Sequence, residues 1–331
     1  MIEVDDIHHD AFLFAGFHHL MPENAASRQC DRAMHIAMTT ACPPADTAAA
    51  PLHRALPYLA LTGSILSFCF GTSFAKHLFP LIGAPATVAY RVGFSALLLL
   101  AVVRPWRLPI TRADLLATMR YGAVLALMNF CFYMALRTIP LGLAIAIEFL
   151  GPLTVSLMHS RRPSHFLMVG LAAAGLALLL PLHQNAHGLD PVGVLFGLGS
   201  GLGWGLYIIF GKRVGHLPGG QAVALGMATG ALIVVPMGLH DAGPAMFTLM
   251  LAAMGLGTAV LSSAIPYSLE IVALRHIPAN RIGVLMSLEP AVGALAGGML
   301  LGEHLAPMQW LAIALVVSAS AGSVLAGGRH D

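Results

Sequence analysis

Ala135-Leu136-Arg137-Thr138-Ile139-Pro140 returns 138 residues later as Ala273-Leu274-Arg275-His276-Ile277-Pro278, with five of the six residues identical. The same offset carries Pro152 onto Pro290, and each proline follows a glutamate within the next apolar stretch. A slightly different offset, 136, pairs Phe74 and Lys76 with Phe210 and Lys212. Echoes that keep their order along the chain mark two copies of one unit.

Outward from these echoes the chain is a series of apolar runs. It is 57% hydrophobic and 10% charged, where a soluble globular chain is about a quarter charged. A span needs roughly 20 mostly apolar residues to cross about 30 Å of hydrocarbon. Runs of that kind are read at 57–79, 85–103, 118–136, 141–159, 164–181, 191–211, 221–239, 247–272, 281–300 and 307–327. Arg104-Pro105-Trp106-Arg107, Arg161-Arg162-Pro163 and Leu217-Pro218-Gly219-Gly220 punctuate them as turn and interface signals. The expected fold is an all-α polytopic membrane protein of ten transmembrane helices. Residues 57–181 would form one repeat and 191–327 the other.

Residues 1–56 mix His, Asp, Arg, Pro and Ala and hold no run long enough to span. Ala11 to Phe17 is short and follows an acidic start, unlike a signal peptide. The segment reads as a disordered tail or as a start assigned too early, with Met38 as the alternative start and 1–37 then untranslated. No function is expected there.

With the N-terminus cytoplasmic, inside segments carry Arg54, Arg104, Arg107, Arg112, Arg120, Arg161, Arg162, Lys212, Arg213, Arg275, Arg281 and Arg329. Outside segments carry Arg137 and, at a helix end, Lys76. Twelve against two is a strong positive-inside bias, and it puts both termini in the cytoplasm. Five spans per copy is an odd number, so the second copy inserts upside down, with Arg137 outside and Arg275 inside. Inverted repeats of this kind build many secondary transporters, with the substrate near the midplane between the halves.

Ionisable groups inside the spans carry the most information, because a charge at the bilayer centre costs at least about 2.5–3.5 kcal/mol on insertion scales. Glu148 lies seven residues into the fourth span and Glu289 eight into the ninth, each roughly 10–12 Å deep at 1.5 Å per residue. A buried carboxylate can carry a proton or face an ammonium group. It can also be tied to backbone amides freed by Pro152 or Pro290. Arg91, six residues into the second span, is a bidentate clamp for a carboxylate or the neutraliser of Glu148. Lys76, near the outer end of the first span, contacts substrate or snorkels to the interface. Glu270 reads as structural, paired with Arg275 or Lys212. Asn129, Tyr133, Tyr207, Ser262, Ser263 and Tyr267 are polar groups able to complete a hydrophilic pocket, although Ser and Thr often bond their own helix.

No metal, cofactor or nucleic-acid partner is expected. The 16 histidines are scattered, and the four cysteines form no CxxC pair. The glycine ladder Gly193, Gly197, Gly201 and Gly205 lacks GxGxxG spacing and reads as close helix packing. Neither HExxH nor GxSxG is present, which argues against an intramembrane enzyme.

Ile145-Ala146-Ile147-Glu148-Phe149-Leu150-Gly151-Pro152, Ser287-Leu288-Glu289-Pro290-Ala291 and Leu301-Gly302-Glu303 resemble motifs of the drug/metabolite transporter superfamily, whose members carry two EamA repeats. Ala75 to Pro85, Arg104-Pro105-Trp106-Arg107-Leu108, Ser160-Arg161-Arg162-Pro163 and Ile265-Pro266-Tyr267-Ser268-Leu269-Glu270 look most like the bacterial threonine/homoserine exporters within it. The likeness runs from about residue 57 to 327. It implies efflux of small zwitterionic amino acids from a bacterial inner membrane, against proton entry. A relative moving another metabolite or an organic cation is the alternative.

Overall fold

The computed structural model describes residues 50–158, 163–179, 189–217, 220–274, 276–277 and 279–327. The tail at 1–49, Arg161, Arg162, Pro218, Gly219, Arg275 and Arg329 lie outside the described residues, and so does the Tyr267 side chain. Every regular element among the described residues is helical. In chain order the helices are α1 (Ala50–Lys76), α2 (Phe79–Val103), α3 (Arg112–Ala135), α4 (Leu141–Glu148), α5 (Leu150–Met158), α6 (Pro163–Leu179), α7 (Pro191–Val214), α8 (Gln221–Ala242), α9 (Leu249–Ala259), α10 (Ile265–Leu274), α11 (Ala279–Met286), α12 (Glu289–Leu301) and α13 (Pro307–Gly327). A π-helical turn, Val260–Ala264, joins α9 to α10.

Seven stretches among the described residues are long and apolar enough to cross a membrane: Ala55–Lys76, Phe79–Arg107, Arg112–Ala135, Pro191–Val214, Gln221–Ala242, Leu249–Glu270 and Arg281–Leu301. Leu141–Val155 and Pro307–Ser323 are shorter apolar helices. Large apolar side chains such as Leu195, Leu202, Leu232, Leu249 and Met299 point outward. An apolar exterior of that kind suits lipid as its solvent.

Local chemistry sets the helix ends. Thr111 caps α3 by accepting from the Asp114 amide. Asp190 caps α7 by accepting from the amides of Val192 and Gly193, with Pro191 at the first helical position. The Thr138 hydroxyl and those two amides hold the Asp190 carboxyl below its ordinary range. Gly302, at φ 65°, takes the left-handed conformation that ends α12.

Two of the expected continuous spans are broken. The fourth runs as α4 and α5, separated at Phe149; the ninth runs as α11 and α12, separated at Ser287 and Leu288. Pro152 and Pro290 supply no N–H to the helical ladder, so each removes a bond one turn back.

The helices pack in reciprocal pairs: α2 on α8, α6 on α13, and the broken α4 on the broken α12. Two further crossings match each other, α3 on α7 and α1 on α10. The glycine ladder of α7 is a packing surface, as its spacing implied. A Cβ at Gly193 would meet Thr138 and Ile139, one at Gly197 Ile147, and one at Gly201 the Glu148 carbonyl. Small residues bring α7 against the break between α4 and α5.

Candidate functional site

Both breaks carry a buried glutamate. Glu148 is the last residue of α4 and Glu289 the first of α12. Glu289 sits at a helix N-terminus, where the unpaired amides favour negative charge. Each carboxylate is within electrostatic reach of the other. Among the described residues no backbone amide donates to the Glu148 carboxylate; its Oε1 accepts from the Ser200 hydroxyl at 2.5 Å.

Arg91 enters this region from α2 and is 6% exposed. The π-helical turn seats it. Its Nε donates to Ser263 Oγ and its Nη2 to the Ser262 carbonyl, both at 3.4 Å. A π turn displaces side chains from the regular helical register and recurs at functional sites. The guanidinium also lies 5.5 Å from the ring centres of Phe68 and Tyr133, which is cation–π distance.

Arg91 does not neutralise Glu148 by contact. Its charge acts on Glu148, but no ion pair within 4.0 Å joins Arg91 to any carboxylate among the described residues. The Tyr133 hydroxyl lies against Arg91 and Ser262 yet makes no well-formed hydrogen bond. Thr72, four residues along α1 from Phe68 and so on the same face, also has a buried hydroxyl without a partner. Buried polar atoms are nearly always satisfied. Here the Tyr133 hydroxyl lies against a cation that has no carboxylate in contact among the described residues.

The other expected site residues are placed elsewhere. Lys76 pairs with Glu303 at 2.5 Å and also donates to the Ile139 carbonyl. The second Glu303 oxygen accepts from the Leu141 amide at the start of α4. Lys76 therefore neither snorkels nor stands open to a ligand in this structure. Asn129 bonds its own helix through Nδ2 to the Leu125 carbonyl. Tyr207 packs on Tyr121 with ring centres 5.0 Å apart, and it faces Glu270 rather than Arg91. Glu270 accepts from Ser64 at 3.0 Å.

A cavity of about 330 Å³ opens away from Arg91, lined by Phe79, Pro80, Gly83, Ala84, Pro85, Arg137 and Asp241. Gly83 there has φ +78°, and a Cβ would strike the Asp241 carboxylate. Arg91, Glu148 and Glu289 are each buried.

Sequence reasoning passed over three participants. Phe68 looked like ordinary core. Ser200 was hidden in the glycine ladder, and Glu303 was quoted only as a motif. Glu303 had a usable signal, since a carboxylate in an apolar turn calls for a cation and Lys76 was available.

Residues 191–325 match the EamA-like transporter family. Over 270 residues the chain is 44% identical to the threonine/homoserine exporter RhtA of Escherichia coli K12, covering 82% of this chain and 92% of that protein. Identity and coverage are the same for the threonine/homoserine exporter RhtA of Salmonella typhimurium LT2. An uncharacterized transporter of Bacillus subtilis 168, YwfM, is 29% identical over 173 residues, or 50% of this chain and 57% of that one. One crystal structure, 18% identical, superposes with a TM-score of 0.58 over 82% of this chain and 98% of its own. At that identity the likeness speaks for the fold.

Proposed function

The chain belongs to the EamA-like transporter family, as a multi-pass membrane transporter and not an enzyme, and from that premise we propose that it exports threonine, homoserine and similar small amino acids across the bacterial inner membrane, in exchange for protons. The observation that carries this reading is the set of buried charges at the helix breaks. Arg91 is a buried cation with no carboxylate in contact among the described residues, and Glu148 stands within its electrostatic reach. A zwitterion supplies what each lacks, its carboxylate to the guanidinium and its ammonium to the glutamate. The exporters that the chain resembles at 44% identity carry that cargo by name.

The ten-span, two-repeat architecture belongs to the same proposal, with both termini cytoplasmic and repeats at 57–181 and 191–327. It is supported by the sequence echoes and by the reciprocal packing, in which α3 on α7 has its mate in α1 on α10. Two broken helices meeting back to back, with charged groups at the breaks, is how inverted-repeat transporters build midplane sites. Rocking of one half against the other would then expose the Arg91 cluster to each side in turn. Glu148 exchanges a proton for the substrate ammonium, Glu289 sets the local field, and Tyr133 orients Arg91. Asn129, Tyr207 and Tyr267 are left as lining beyond this cluster.

An organic cation is the poorer cargo. Arg91 faces the same enclosed region as Glu148, and a cation brings nothing to pair with it. The test is flux of labelled threonine into proteoliposomes under an imposed pH gradient, with unlabelled homoserine as competitor. Gradient-driven uptake that homoserine blocks is expected. Absence of threonine flux from folded, inserted protein would discard the substrate.

A further inference from the structure

Ser64 and Ser200 make the same pair of contacts in the two halves of the chain. Both are fully buried, both follow a glycine, and they are 136 residues apart, the offset that also relates Lys76 to Lys212. Ser64 Oγ lies 3.1 Å from the Pro266 carbonyl oxygen and 3.0 Å from Glu270 Oε1. Ser200 Oγ lies 3.0 Å from the Met128 carbonyl oxygen and 2.5 Å from Glu148 Oε1. Met128 and Pro266 are themselves 138 apart, the other repeat offset. Each half thus holds a serine between a main-chain carbonyl and a carboxyl group.

A hydroxyl has one proton to give and two lone pairs to accept with. The carbonyl only accepts. When the carboxylate is ionised, both neighbours of the serine are acceptors, and its single proton serves one of them through a charge-assisted bond. When the carboxyl holds a proton, it donates to the serine oxygen and the serine donates to the carbonyl. Both contacts are then satisfied. Rotation of one O–H accommodates either state, with no backbone movement.

The geometry points to Glu270 and Ser64 as a second proton-binding site, built on the same plan as Glu148 and Ser200 and placed in the other half of the chain. Glu148 lies seven residues beyond the start of α4 at Leu141, and Glu270 twenty-one beyond the start of α9 at Leu249. In the inverted arrangement the two sites flank the midplane, Glu148 toward the outside and Glu270 toward the cytoplasm. Glu289 lies between them electrically, acted on by both. Among the described residues, the groups facing Glu270 are Ser64 from α1, Glu289 from α12 and Tyr207 from α7. Those facing Glu148 are Ser200 from α7, Arg91 from α2, Cys131 from α3 and Glu289. Resting on the antiport reading, the proton taken up at Glu148 is released to the cytoplasm from Glu270. This replaces the structural role expected for Glu270 from sequence.

Infrared difference spectra of the full chain in lipid, recorded as pH is stepped, test the site without reference to transport. Glu270→Gln is expected to remove a titrating protonated-carboxyl band that Glu148→Gln leaves in place. Ser64→Ala should move the frequency of that band, and Ser200→Ala should move the band assigned to Glu148. Gradient-driven threonine flux in Glu270→Gln should fall roughly 100-fold, the lower range of what a positioned proton carrier contributes. A Glu270→Gln spectrum with every titrating band intact overturns the proposal. If that variant does not assemble, Ser64→Ala decides, and an unmoved band overturns it equally. Wild-type flux that ignores the pH gradient while the Glu270 band titrates would sink the antiport reading and leave the proton site standing.

Discussion

Two neighbourhoods in this molecule, one partly buried and one buried, each bring a cation toward a carboxylate, and they use the charges differently. Lys76 and Glu303 touch at 2.5 Å, with the Ile139 carbonyl and the Leu141 amide taking up further valences. Arg91 and Glu148 do not touch; serines from other helices hold each of them. In the first neighbourhood little electrostatic interaction is left to give a ligand. In the second, the buried guanidinium is held by a hydroxyl, a carbonyl and two rings, with no carboxylate in contact among the described residues. Charge satisfied inside the protein holds helices together; charge left open is what the proposed function assigns to the substrate.

The comparison breaks first at Glu148. Glu148→Gln keeps the shape and the serine bond but cannot ionise. Gradient-driven threonine flux should fall about 100-fold or more, with the protein still inserted and monodisperse. Wild-type flux from that variant would remove Glu148 from the coupling step. Next is Arg91→Lys, which keeps a cation but loses the planar fork. Its Michaelis constant for threonine should rise about tenfold, since Lys does not replace Arg at a bidentate, ring-stacked position.

The outer pair sharpens the contrast from the other side. Lys76→Met or Glu303→Gln alone should destabilise the protein by about 1–2 kcal/mol, below the roughly 3 kcal/mol of stranding one member of a fully buried pair because both side chains keep some exposure. Chemical denaturation in detergent would read this. The double replacement Lys76→Met with Glu303→Met should recover much of the loss, and both threonine affinity and proton coupling should survive in it. The smallest effect is expected at Asn129. Its amide bonds its own helix, so Asn129→Ala should change threonine affinity by no more than about twofold, within the net worth of one such bond.

Much of this was legible in the residues. The helical, membrane-spanning character is plain from the apolar runs, and Glu148, Glu289 and Arg91 stand out within them as buried charges, because apolar spans leave charges conspicuous. What was not legible is which charges meet. Lys76 and Glu303 are 227 residues apart, and no local pattern links them. The π-helical turn at Val260–Ala264 is equally silent, since one extra residue in a helix of small apolar side chains leaves no periodic signature. Ser200 illustrates the same limit, as its role depends on Met128 and Glu148 arriving from two other helices.

Labelled-threonine binding to purified protein bears most directly on the claim that open charges take the substrate. Wild type would be measured beside Arg91→Ala and the Lys76→Met, Glu303→Met double variant. Binding lost in Arg91→Ala and kept in the double variant is the predicted result. Binding kept in Arg91→Ala and lost in the double variant would place the substrate at the outer pair and contradict the account.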